Sequence, residues 1–259
     1  MHRIRTFLLD LDGTFYLGDK IFPWSLDFVD TVRSQGKNFI FVTNNSSRHG
    51  RYYVEKIRKM GVDISDDQVF TSGEATIYHL LKYNYPKKVF LMGTPDLEEE
   101  FQEAGFELTA DEAELVVLGF DMTLTYEKLR TACDLLRKGI PFIATHPDIN
   151  CPTPTGPIPD AGSMIALIKA STGLEPKIIG KPYPEMVEAL RAKYGLEDPE
   201  TVAMVGDRLY TDIAMGKAAG IKSILVLSGE TQLSDLEGST FQPDFVVDNL
   251  GSIAERIRS

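Results

Sequence analysis

The sequence predicts an α/β protein in which a doubly wound parallel sheet is split by an inserted α/β domain. Three observations predict it. Short apolar runs of strand length alternate with helix-like stretches along the chain. Four of these runs end in charged, amide or hydroxyl residues, and open parallel sheets hold their ligands beyond the carboxyl ends of their strands. Between the second and third of those runs lies a long stretch with a strand and helix alternation of its own.

The first run, Ile4 to Leu9, ends in Asp10, Leu11, Asp12, Gly13 and Thr14. Alternate strand residues face the same way, so Asp10 and Asp12 project together, and Gly13 lets the chain turn away sharply. One carboxylate can attack while the other handles protons. Alone, the pentapeptide would also suit a solvated turn. A flap-like turn over Phe15 to Phe22 follows, and then a helix over Leu26 to Gln35.

The second run, Asn38 to Val42, ends in Thr43, Asn44, Asn45 and Ser46. The helix-like stretch after it carries Val54, Ile57 and Met60 on one face and stops at Gly61. A hydroxyl and free backbone N–H groups at a strand-to-helix junction cradle an anion. The third run, Lys177 to Gly180, places Lys181 and Pro182 at its end, and Pro184 opens a helix bearing Val187, Leu190 and Tyr194. The fourth, Thr201 to Val205, empties into Gly206, Asp207, Arg208, Leu209, Tyr210, Thr211 and Asp212 at the start of a further helix.

The segment between Ser46 and Lys181 holds strand-like runs at Lys88 to Met92, Glu114 to Phe120 and Ile140 to Ala144, with helical stretches such as Leu97 to Ala104 and Tyr126 to Lys138. The insertion is placed at Thr76 to Glu175. Met1 to Ala75 and Pro176 to Ser259 are left to form the parallel sheet. Within the insertion, His146 to Gly162 reads as a Pro- and Gly-rich loop, with a helix from Ser163 to Ser171 after it.

The chain has 259 residues and a formal net charge of -11. That charge argues against a nucleic-acid polymer as partner, since such proteins need basic surface to displace counterions. A small phosphorylated metabolite remains compatible, because screening leaves local cations to govern entry to a cleft. Cys133 and Cys151 show neither zinc-site spacing nor the density of a secreted scaffold and are expected to be buried free thiols. Phe7, Leu8 and Leu9 are interrupted at once by Asp10, so neither a signal peptide nor a membrane span is expected there, and the expected location is the cytoplasm.

In this order and at these strand ends, the four segments resemble the signature motifs of the haloacid dehalogenase superfamily of aspartate-nucleophile phosphotransferases. Gly206 to Asp212 looks like the branch of para-nitrophenyl phosphatases, pyridoxal phosphate phosphatases and NagD-like nucleotidases. The resemblance implies hydrolysis of small phosphate monoesters, with sugar phosphates and nucleoside monophosphates among the candidates, through an aspartyl phosphate on Asp10. It implies that the insertion is a cap of the C2 type, closing over the core with substrate between, and that His146 and Asp148 on the cap loop face the substrate. Relatives commonly carry Asn where His146 stands and Gly where Asp160 stands. Cap surfaces can pair, which leaves a homodimer through the cap open.

On this reading Asp10 attacks phosphorus, and Asp12 first protonates the leaving alkoxide and then deprotonates the hydrolytic water. Thr43, Asn44 and Asn45 hold phosphoryl oxygens, and Lys181 keeps Asp10 ionised beside a dianion. Mg²⁺ is the expected cofactor and needs few protein ligands. Asp10 and Asp207 suit it as carboxylates, the resemblance implies the backbone carbonyl of Asp12 as a third ligand, and Asp212 is expected in the outer shell, holding a water or Lys181. Two alternatives remain open: a phosphomutase, and a phospho-acceptor signalling module, in which a carboxylate at position 12 that drives hydrolysis would be out of place.

Overall fold

The computed structural model describes all residues, Met1–Ser259, and they form two compact units. The first comprises Met1–Thr43, Tyr53–Phe70 and Lys181–Ser259, the second Asn44–Tyr52 and Thr71–Gly180. No helix is long and apolar enough to cross a membrane.

A six-stranded sheet organises the first unit, in the order Phe245–Val247, Lys222–Val226, Val202–Gly206, Thr6–Leu9, Asn38–Thr43 and Val69–Thr71. The first five run parallel. Its central strands are apolar on both faces because helices cover both, as a parallel sheet requires. On one face Phe28, Val29 and Val32 of helix Ser25–Ser34 pack with Leu250, Ile253 and Ile257 of helix Leu250–Arg258, around Phe7 and Leu9. Asn249 starts the second of these helices by accepting the N–H groups of Gly251 and Ser252 on its side-chain oxygen. Helix Pro184–Tyr194 begins on the expected proline and ends on Gly195 in the left-handed conformation.

The second unit is built on a five-stranded parallel sheet, Lys177–Ile178, Phe142–Ala144, Leu115–Leu118, Lys88–Met92 and Glu107–Leu108 in that order. Its core joins Val116, Leu118 and Ala144 to Leu136 and Ile168 of the helices Tyr126–Arg137 and Ala161–Thr172. Cys133 is buried in that core, Cys151 is half-buried, and both are free thiols.

Three expectations are corrected. Lys177–Ile178 joins the five-stranded sheet beside Ile143 and Ala144, not the sheet of the first unit. The run is too short for its composition to select a sheet, and Gly180 carries the pairing on, because only a residue without a side chain fits against the Thr145 carbonyl it bonds. The region 146–162 is not all loop: Asn150–Cys151 pairs antiparallel with Ile158–Pro159, and the next helix starts at Ala161, where the Asp160 carboxylate accepts the Ala161 N–H at 2.6 Å. Finally, the stretch after Asp207 opens as a wide π-type turn, Leu209–Ile213, before the α-helix Ala214–Ala219.

Glu100 is a buried carboxyl in helix Pro95–Glu103. It accepts the Gly50 N–H at 3.3 Å and lies 3.8 Å from His49, while its other oxygen is buried without a hydrogen-bond partner. Burial raises it to about 7; the Gly50 N–H and Arg51 oppose the shift, and Glu74 and Glu103 add to it. The protonated form is therefore the one the fold favours. The resulting stability is complete below the ordinary glutamate range and is lost as pH rises through about 7, a loss on the order of 3 kcal/mol. Glu100→Gln should gain thermal stability over wild type progressively between pH 5 and pH 8. Parallel melting curves for the two proteins across that range would contradict this assignment.

Candidate active site

Strand register assembles the site. Leu9 pairs with Phe41 on one side and Val205 on the other, so Asp10, Thr43 and Asp207 leave three neighbouring strands at one edge of the sheet. The Asp10 N–H donates to the Val205 carbonyl at 2.9 Å, which continues the pairing one residue beyond the strand. Gly13, with φ +87°, turns the chain back so that its N–H reaches the Tyr16 carbonyl.

Lys181 is 2 % exposed and donates to Asp10 Oδ1 at 2.6 Å, Asp212 Oδ1 at 2.7 Å and the Val42 carbonyl at 3.1 Å. Its three protons are thereby used. Burial alone would lower its affinity for a proton, but Asp10 and Asp212 outweigh burial and hold it above the ordinary lysine range. Lys181 is a cation throughout the physiological range.

Asp212 is engaged at both oxygens, the second accepting the Arg208 N–H at 3.2 Å. The wide turn Leu209–Ile213 brings its carboxylate over Gly206, where a side chain would overlap it. Burial raises Asp212 while Lys181 opposes the rise. Asp207 is raised too, by burial and by the neighbouring charges of Asp10 and Asp212. One of its oxygens accepts the Glu230 N–H at 2.7 Å, and the other is buried without a hydrogen-bond partner.

Carboxylate oxygens of Asp10, Asp207 and Asp212 lie within 4.8 Å of one another. Three carboxylates face one ammonium, which leaves negative charge to be neutralised. An all-oxygen donor set with an orphaned buried oxygen fits a hard divalent cation.

Asp12 lies beside this cluster. Burial raises it to about 6, Asp10 adds to the rise, and Lys56, Arg208 and the Gly18 N–H oppose it. A carboxyl tuned there exchanges protons readily near neutral pH.

Thr43 is buried at the end of its strand. In the next residues Asn45 folds its side chain back to accept from the Ser47 N–H at 2.9 Å and the Ser47 hydroxyl at 2.7 Å, which sets the turn. The Asn44 carbonyl accepts from the Ser72 hydroxyl, and the Asn44 amide donates to Asp148 at 3.1 Å. His146 is fully buried. Its Nε2 lies 2.8 Å from Asp160, and its Nδ1 lies 2.9 Å from the Thr145 hydroxyl. The Thr145 hydroxyl is in turn 2.9 Å from that of Ser46. His146 and Asp148 thus share a polar network with residues 44–46 of the second unit.

Sequence pattern alone gives no role to Ser72, Ser46 or the segment Ser228–Thr231: Ser46 closes the second motif without a visible partner, and the others stand in polar stretches that carry no periodic signal.

A family model described as haloacid dehalogenase-like hydrolase matches residues 7–107, and one described as HAD-hydrolase-like matches residues 178–253. The chain is 34 % identical over 250 residues to the 5'-nucleotidase YutF of Bacillus subtilis, covering 96 % of this chain and 97 % of the relative. It is 36 % identical over 258 residues to an acid sugar phosphatase of Staphylococcus aureus, covering 98 % and 99 %. The crystal structure of a 4-nitrophenylphosphatase from Thermotoga maritima superposes with a TM-score of 0.95 at 53 % identity, covering 99 % of this chain and 98 % of that one. With relatives this similar over nearly its whole length, the chain belongs to the haloacid dehalogenase-like hydrolases and is an enzyme of their phosphatase branch.

Proposed function

We propose that the chain hydrolyses small phosphate monoesters, of the sugar phosphate or nucleoside monophosphate class, in two steps through an aspartyl phosphate on Asp10. The observation that carries this reading is Lys181, buried between Asp10 and Asp212 with Asp207 beside them. Its ammonium orients Asp10 and offsets part of the charge of an incoming phosphoryl dianion. The names of the relatives, a 5'-nucleotidase and an acid sugar phosphatase, support the substrate class.

In the first step a carboxylate oxygen of Asp10 forms a bond to phosphorus as the ester P–O bond breaks, and Asp12 gives its proton to the departing oxygen. In the second, Asp12 takes a proton from water, the water oxygen bonds to phosphorus and the Asp10 carboxylate leaves. The raised Asp12 suits both transfers. Thr43 donates its hydroxyl, and Asn44 and Asn45 their backbone N–H groups, to phosphoryl oxygens. His146 and Asp148 contribute by fixing the Asn44 turn. Mg²⁺, held by Asp10, Asp207 and the Asp12 carbonyl, would neutralise phosphoryl charge, with Asp212 holding Lys181 behind it.

The test is phosphate release from a panel of sugar phosphates, nucleoside monophosphates and para-nitrophenyl phosphate, with and without exhaustive chelation. Release that depends on Mg²⁺ and is restored by adding it back is the expected result. Full activity in the chelated protein would remove the metal from the account, and no release from any ester would remove the substrate class.

A further inference from the structure

We infer that the segment Ser228–Thr231 is a positioning element that presents a single oxygen of Asp207 to the cation, with Gly229 as the residue that makes this arrangement fit. The inference rests on the metal role given to Asp207 above. It concerns residues outside all four motifs.

Asp207 is a short side chain in a crowded place. The Glu230 N–H donates to Oδ2 at 2.7 Å and the Thr231 N–H donates to the Asp207 carbonyl at 3.2 Å, so one segment grips both the side chain and the main chain of the residue. Oδ1 is left buried with no hydrogen-bond partner. A buried carboxylate oxygen in that condition carries an uncompensated desolvation cost unless a ligand completes it.

Two glycines border the same carboxylate. A methyl group on Gly13 or on Gly229 would overlap Oδ2 and the carboxyl carbon of Asp207. Gly13 needs its positive φ as well, so a substitution there would mix two effects. Gly229 is not among the positive-φ glycines. Its backbone is outside the left-handed region, and the nearest atoms a side chain there would meet are those of the Asp207 side chain.

The segment is itself tied down at both ends. The Ser228 hydroxyl donates to the Gly13 carbonyl at 2.8 Å, which links it to the turn that follows Asp12. The Glu230 carboxylate pairs with the Arg208 guanidinium at 2.9 Å and accepts the Tyr210 hydroxyl at 2.8 Å. The loop that holds Asp207 is thus braced by the residues that follow Asp207 in sequence. Outer partners of metal ligands act in this way, by fixing which atom the ligand offers.

The test is a calorimetric titration of the full-length protein with Mg²⁺ alone, paired with metal-free melting curves. Wild type should bind Mg²⁺. Gly229→Ala should weaken binding roughly 10–100-fold, the usual effect of disturbing an outer partner. Ser228→Ala, a milder change that removes one hydrogen bond, should weaken it about fivefold, and Ser228→Thr, which keeps the hydroxyl, should restore it. Wild-type Mg²⁺ affinity in Gly229→Ala, even with a lowered metal-free melting temperature, would overturn the positioning role. Should Gly229→Ala fail to fold, unchanged affinity in Ser228→Ala would overturn it equally. A wild-type protein that binds no Mg²⁺ would instead overturn the metal role of Asp207 on which the inference stands.

Discussion

Asp10→Asn should lower turnover by at least about 10⁴-fold on every ester while leaving the protein folded. An amide of the same shape still fits beside Lys181, but it is a poor nucleophile and cannot carry a phosphoryl group through the second step. The loss should appear in kcat rather than in KM, because the missing group makes its bond to phosphorus only as the reaction proceeds. Removing one carboxylate also lowers the negative charge shared with Asp207 and Asp212, both of which are raised in part by Asp10. The variant should therefore melt no lower than wild type in the absence of metal. A variant with wild-type rates would mean that another residue attacks.

The second large effect is expected at Lys181. Lys181→Met should cut catalytic efficiency about 10²–10³-fold, and by a similar factor for every ester, since all share the phosphoryl group. It should also destabilise the protein by about 3–5 kcal/mol, because Asp10 and Asp212 lose their partner inside the protein. The two consequences are separable. Adding Asp212→Asn to Lys181→Met removes one of the stranded charges, so the double variant should recover part of the stability and none of the activity. Melting temperature and phosphate release measured on the same three proteins check this. Recovery of both together would reduce Lys181 to a structural cation. A loss confined to some substrates would place its action on the leaving group instead.

The core of the site was legible because its residues stand where an apolar run stops. Asp10 after Leu9, Thr43 after Val42 and Asp207 after Gly206 mark strand ends by an abrupt change in side-chain chemistry, and the register of three neighbouring strands then brings them together. Lys181 was legible by the same rule, although the strand before it proved to belong to the five-stranded sheet. Residues 44–52 lie in sequence between two elements of the first unit yet belong to the second. What ties them there is non-local, the Ser46 hydroxyl against Thr145 and the Asn44 carbonyl under Ser72, and no local pattern encodes such pairings. Strands of three residues such as Val69–Thr71 and Phe245–Val247 are too brief to show alternation. His146 reads as an isolated loop histidine until Asp160 is brought beside it, and Asp160 reads as a loop acid until its helix is seen to begin one residue later.

Passage of the phosphoryl group through Asp10 can be read by mixing Asp12→Asn with para-nitrophenyl phosphate, quenching in acid and mapping the peptides by mass. The para-nitrophenolate leaves without a proton, so the first step survives the loss of Asp12, while hydrolysis of the acyl phosphate loses its base. We expect a burst of nitrophenolate and one phosphoryl group on the peptide that contains Asp10. A phosphoryl group on another residue, or none on the protein while nitrophenolate and phosphate continue to be released together, would contradict the account.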